Sequence, residues 1–151
     1  MAQRSSTVAS GAVDRWVRGR LDVETRGQAC HDVTAAIDDW LAQVDAADGL
    51  LVAASLHTTA SLMVQENADP DVQRDLVDAL ARLAPSDARY RHGLEGPDDM
   101  PGHIKAVLTG QSAALVVADG RLLLGQWQAV YLLEHRDAPK NQTISMYYIG
   151  S

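Results

Sequence analysis

Apolar residues Val13, Val17, Leu21 and Val23 fall on one parity, and Arg18, Arg20 and Asp22 fall on the other. That alternation predicts a half-buried strand with its arginines on the wet face. Val33, Ile37, Trp40, Leu41 and Val44 then recur at helical spacing, predicting an amphipathic helix over residues 31–44. The run LLVAASL predicts a buried strand ending at His57, and ASLMVQE a second strand directly after His57-Thr58-Thr59. Asp69 and Pro70 signal a helix start, a capping carboxylate followed by proline at the first helical position. Val72, Leu76, Leu80 and Leu83 would give that helix its buried face, and Pro85 ends it. Residues 86–100 read as a loop, long enough in a compact domain to suggest a function. A short helix over Gly102–Thr109 follows, with Gly110 as its C-terminal cap. The segment SAALVVADGRLLLGQWQAVYLLEH predicts a strand, a hairpin turn at Asp119-Gly120 and one long strand; NQTISMYYIG is the last strand. Strands outnumber helical crossovers, so the expected fold is α+β with a mainly antiparallel sheet.

Composition narrows the class. The chain has 151 residues, which suits one domain; residues 1–12 are small and polar and are expected to be flexible, leaving a single domain over 13–151. The formal net charge is −7 and no basic stripe is present, so nucleic acid is not an expected partner. One cysteine, Cys30, rules out an intrachain disulfide and the paired-cysteine metal motifs; it reads as a small helix-proximal hydrophobe. The N-terminus lacks a signal-peptide core and no stretch suits a membrane span, so a soluble cytoplasmic protein without membrane contact is expected. Phosphate-binding loops, dinucleotide fingerprints and nucleophile elbows are absent from the sequence.

The chemistry lies in the histidines. His57, His92 and His103 each stand where an element ends, the usual place for a site. Three neutral imidazoles make a zinc-type ligand set with a free fourth position, if they converge. His31 reads as a solvated residue at a helix start, and His135, between Glu134 and Arg136, as a surface residue. Asp69 and Asp71 are best explained by helix capping. Glu66 ends a strand-like run without such a reason, and suits a general base or a group orienting a metal ligand. Asp98 and Asp99 divide evenly between solvated loop charges and functional groups. Gln126 and Gln128 break an apolar strand and need partners, in an interface or on a ligand; Trp127, on the other face, reads as core.

The stretches HTTASLMVQENADPDVQRDL, YRHGLEGPDDMPGHIK, GRLLLGQWQAVYLLE and the closing YYIG together resemble the YjbQ family over about Val13 to Gly150. The resemblance implies a compact β-sandwich-like α+β subunit with two main helices and a short one, assembled as a homotrimer with a pocket near subunit boundaries. It also implies secondary thiamine-phosphate synthase activity, joining hydroxymethylpyrimidine diphosphate to a thiazole phosphate. Carried over by position, the family's polar set falls on His57, Thr58, Thr59, Glu66, Asn67, His92, Asp98, His103, Lys105, Gly125, Trp127, Gln128 and Glu134. In that reading His57, His92 and His103 hold the metal, zinc by its ligands or magnesium by its diphosphate substrate. Glu66, His57 and Lys105 are the catalytic groups. Thr58, Thr59, Asn67, Arg91, Asp98 and Gln128 bind the phosphorylated substrate. A metal-assisted hydrolase or lyase of a small phosphorylated metabolite fits the same residues, as does a trimer that binds metal or metabolite without turnover.

Overall fold

The computed structural model describes residues 3–151. Residues 3–14 are exposed and carry no regular secondary structure, while Met1 and Ala2, the start of the expected flexible segment, lie outside the described residues. β1 (Arg15–Thr25) alternates half-buried and exposed positions along its length, as its sequence pattern predicts. β3 (Gly49–Ser55), β4 (Ala60–Glu66), β5 (Ser112–Ala118) and β8 (Lys140–Gly150) lie where the apolar runs place them. Among the described residues all strand pairs are antiparallel, and they form two sheets. The larger has the order β1-β8-β3-β5-β6, with β6 being Arg121–Leu122. The smaller has the order β2-β7-β4, with β2 being Ala29–Asp32 and β7 Gln128–Glu134. The main core lies between them: Leu51, Leu115, Val117, Ile144, Met146 and Tyr148 face Ala60, Leu62, Val130 and Leu132. α1 (Thr34–Gln43) closes one side with Ile37 and Leu41, both fully buried.

α2 (Pro70–Leu83) begins where local chemistry satisfies a free N–H group. The Asp69 carboxylate accepts from the Asp71 amide at 2.9 Å, and Pro70 sits in the first turn. α1 is pinned to β7, with the Val130 amide donating to Thr34 Oγ1 at 2.9 Å and the Val33 amide donating to the Val130 carbonyl. α3 (Asp99–Thr109) ends at Gly110, whose φ of 95° needs a glycine. No helix among the described residues is long and apolar enough to cross a membrane.

Several expectations are corrected. The helix predicted from residue 31 starts at Thr34, because Ala29–Asp32 pair with β7 as a four-residue strand too short to show a period. Cys30 therefore sits in β2, opposite Leu133, and stays helix-proximal because Leu80 of α2 packs on the same small cluster. The long strand after Asp119-Gly120 is two strands: β6 stays in the large sheet, and β7 crosses to the small one. Trp127, in the break between them, is 57% exposed rather than core. α3 begins at Asp99, three residues before the predicted start, and is longer than α1. α2 buries no residue completely, and Leu83 is exposed, because the helix covers only the outer face of the small sheet.

Gly49 and Gly150 face each other where β3 starts and β8 ends. A Cβ on Gly150 would lie 2.2 Å from the Asp48 carbonyl oxygen, and one on Gly49 2.3 Å from the Ile149 carbonyl oxygen. The buried Tyr148 ring also crowds both positions. Gly150→Ala is expected to destabilise the fold by about 1–3 kcal/mol, read as a lower urea midpoint. Gly11→Ala, which meets nothing within 4 Å, is the control expected to leave the midpoint unchanged.

Candidate functional site

α3 opens with an Asp99-x-x-x-His103 spacing, which puts both side chains on one helical face. The preceding loop brings His92 to the same place. One ligand atom from each of His92, Asp99 and His103 lies within 4.8 Å of the others. His92 Nε2 is 2.5 Å, and His103 Nε2 3.5 Å, from the same Asp99 oxygen, Oδ2. The two imidazoles meet edge-on with centroids 5.4 Å apart. Asp99 is 2% exposed. Burial alone would push its carboxyl up, but the His92 hydrogen bond and the Arg136 and imidazole charges win, holding it below the ordinary carboxylate range.

Arg136 supports this cluster from behind. Its Nη1 bonds the other Asp99 oxygen, Oδ1; its Nε donates to Asp98 Oδ2 at 2.9 Å, and its Nη2 to the Glu95 carbonyl at 2.8 Å. Asp98 also accepts from the Asp137 amide at 2.8 Å. Its carboxyl, pushed up by burial, is nonetheless held low by the Arg136 hydrogen bond. The Arg136 amide in turn donates to Glu134 Oε1 at 2.9 Å. Glu134 is buried without a cation, its Oε2 taking the Thr25 hydroxyl at 2.8 Å and the Gln142 amide.

Two imidazole nitrogens and one carboxylate oxygen form a donor set that zinc and related transition ions accept while keeping open positions. The carboxylate's far oxygen is held by a charged hydrogen bond, as ligating carboxylates usually are. The cluster therefore fits a divalent transition ion. A cavity of about 490 Å³ opens elsewhere, between β2 and α2, and is lined by Gln28, Cys30, Gln73, Arg74, Asp78 and Tyr131. Convergent titratable groups locate a site better than volume does, and a cavity of about 400 Å³ reaches Asp98, Pro101 and Lys105 beside the cluster.

The other residues singled out from the sequence are spread more widely. The structure does not bring His57 into the cluster; its Nε2 accepts from the Thr143 amide at 2.9 Å. Thr58 is exposed, while Thr59 packs against Gly102, where an added Cβ would lie 3.2 Å from the threonine side chain. Arg91 is exposed beside His92. Lys105 lies two residues from His103, on a different face of α3, and donates to Gln28 Oε1 at 2.7 Å. Burial pushes its amine down, against the opposing charges of Asp137 and Asp98. Glu66, Asn67 and Gln128 lie at the far end of β4 from Thr59, roughly 20 Å away at strand rise. Gln128 is exposed and accepts from the Gly125 amide at 2.8 Å; Gln126 is exposed too.

Two further readings of single residues are overturned. His135 is not a surface residue but 3% exposed, its Nε2 2.7 Å from the Ser61 hydroxyl. His31 lies in β2 rather than at a helix start, and its Nε2 is buried without a hydrogen bond. Asp99 and Arg136 were absent from the expected ligand and substrate sets. The sequence does hold one signal: Glu134-His135-Arg136 continues directly from the apolar run Ala129–Leu133 with no turn residue between, which marks these charges as inside.

Comparison with known proteins agrees with this architecture. The family model described as "UPF0047 protein YjbQ-like" matches residues 19–151. The UPF0047 protein sll1880 of Synechocystis is 40% identical over 95% of this chain and 98% of its own length. UPF0047 protein YjbQ of Salmonella typhimurium is 40% identical over 80% of this chain and 88% of its own. The crystal structure of the hypothetical protein APE1520 from Aeropyrum pernix superposes with a TM-score of 0.82 at 31% identity, covering 89% of this chain and 99% of that one. With a matching family model and full-length relatives in hand, this single-domain α+β chain belongs to the UPF0047 family of YjbQ-like proteins.

Proposed function

We propose that the chain is a metal-dependent enzyme acting on a small phosphorylated metabolite, with its ion held by His92, Asp99 and His103. The observation that carries this reading is the convergence of the three ligand atoms within 4.8 Å around a buried, Arg136-held carboxylate. Zinc suits two imidazoles better than magnesium does, since magnesium prefers an all-oxygen shell. When bound, such an ion supplies positive charge against the negative charge that develops on a phosphoryl or leaving oxygen. Arg91, exposed and next to His92 in sequence, would meet the phosphate group in this reading, and Asp98 and Arg136 hold the loop behind the ligands. Thiamine-phosphate synthase activity is the specific reaction the family resemblance implies: diphosphate leaves the pyrimidine's methylene carbon and the thiazole nitrogen takes its place. Metal-assisted hydrolysis or elimination belongs to the same class and uses the same residues.

A homotrimer is part of this reading, supported by an uncovered apolar sheet face. Register aligns Trp16, Ile149, Leu50 and Val116 in one outward row across four strands, and Arg18, Tyr147, Val52 and Ala114 in the next. Trp16 stacks on Tyr147 at 5.4 Å, and all the large apolar residues of the two rows are 38% or more exposed. A contiguous face of this kind marks an association surface. Val52→Glu is expected to reduce the light-scattering mass from three times 16.3 kDa to one; a variant of unchanged mass would move the interface elsewhere.

The function is tested by metal content per chain, by plasma mass spectrometry on unchelated protein, and by turnover on phosphorylated metabolites that include both thiamine precursors. A near-stoichiometric transition metal with chelator-sensitive turnover is expected. Protein that stays metal-free after zinc is supplied defeats the reading. Bound metal without turnover makes the chain a binding module.

A further inference from the structure

We infer that Arg136 is the positioning residue of the metal site: it ties the loop carrying His92 to the helix carrying Asp99 and His103, and so sets the site's affinity. This rests on the metal-site reading given above. The ligands come from two segments of unequal rigidity. Asp99 and His103 share the first turns of α3, whereas His92 stands on the irregular loop before it. Arg136 grips the stretch between them at three positions, the Glu95 carbonyl and the carboxylates of Asp98 and Asp99. The Asp98 contact is reinforced by the Asp137 amide, so two consecutive residues after β7 donate to the same Asp98 oxygen, Oδ2.

The grip is anchored in the core. The Arg136 amide is fixed by Glu134, itself held by Thr25 of β1 and Gln142 of β8. The position of the Asp99 carboxylate is thereby referred back to three strands rather than to a free helix end. The planar guanidinium also suits the job: its Nε, Nη1 and Nη2 each meet a different acceptor, a fork an ammonium cannot reproduce. Gly96 has a φ of 109°, and an added Cβ there would lie 3.1 Å from Asp98 Oδ1, so the loop backbone is shaped to let Asp98 turn toward Arg136. Without the guanidinium, Asp99 would be free to rotate away from the imidazoles and the His92 segment would lose its tether.

The test is cobalt(II) binding to the full chain, followed by visible absorption and by chelator competition, for wild type, Arg136→Gln, Arg136→Lys and Asp98→Asn. Arg136→Gln is expected to weaken cobalt about 10–100-fold and to change its absorption bands, the scale found when a group supporting a ligand is lost. Arg136→Lys should fall between, since it keeps the charge and loses the fork. Asp98 touches no ligand; Asp98→Asn is isosteric and keeps the fold testable if Arg136→Gln does not fold, and it should weaken cobalt several-fold. A residue serving stability alone would lower the melting temperature and leave affinity and bands unchanged in folded protein. Folded Arg136→Gln or Asp98→Asn with wild-type cobalt affinity and spectrum overturns the inference and spares the metal site. Wild type that binds no cobalt overturns both.

Discussion

Replacing His103 with alanine is expected to remove stoichiometric metal and leave the fold nearly unchanged. The side chain is 31% exposed, and it meets the Asp99 oxygen at 3.5 Å and the His92 ring in a T-shaped pair. Neither contact is part of the core, so the melting temperature should move little. Metal affinity should fall far more. Losing a group that merely supports a ligand costs about 10–100-fold, so losing a ligand should cost at least about a hundredfold. Two ligands would remain, one on a loop. Asp99→Asn is a poorer probe, because it also removes one of the two carboxylate partners of the buried Arg136 and mixes stability with binding. Metal content and melting temperature, measured on the same samples, separate the two effects. A His103→Ala protein that keeps wild-type metal would place the ion elsewhere, and His57 would then be the next ligand to remove.

Much of the fold is legible because the sequence carries strong local signals. β4 matches the run ASLMVQE residue for residue, and α2 starts where Asp69-Pro70 announces it. The Asp119-Gly120 turn has φ of 51° and 76°, the positive values a tight hairpin demands. What the pattern misses is set by distant pairing. β2 exists only because Ala29–Asp32 meet β7 a hundred residues later, and four residues show no period of their own. The break after Leu122 is masked because Leu123 and Leu124 continue the apolar run as far as Gly125, and only the two-sheet arrangement decides which strand goes where.

The site divides the same way. His92 and His103 stand out as imidazoles at element ends, and the structure brings them together. Asp99 reads like any loop carboxylate until its partner is known, and that partner, Arg136, lies 37 residues on. Charge identity is local information, whereas the pairing that buries a charge is not. The buried run Glu134-His135-Arg136 is where that matters most: three ionisable groups enter the interior together, each stabilised by contacts from other elements.

His135 gives that burial a measurable consequence. Burial, with a smaller contribution from the Lys105 charge, pushes its pKa from 6.5 down to about 4. The ring meets the neutral Ser61 hydroxyl, which in turn lies 2.6 Å from Thr109 Oγ1. The folded state therefore keeps His135 neutral at pH values where the unfolded chain has already taken up a proton. Between those two pKa values the unfolded state binds more protons, so stability is full above pH 6.5 and declines as the pH falls toward 4. A shift of that size corresponds to roughly 2–3 kcal/mol lost by about pH 4.5. Asp98 and Asp99, both held below the ordinary carboxylate value of 3.8, keep their contribution throughout this window and lose it only at lower pH. Urea unfolding of wild type and His135→Gln at about pH 7.5 and pH 4.5 isolates the effect, because every other group titrates in both proteins. Wild type is expected to lose more stability between the two conditions by roughly 2–3 kcal/mol. Equal losses would mean that the imidazole accepts its proton within the fold, and that the pocket formed by Ser61, Thr109 and Lys105 opens to water before the chain unfolds.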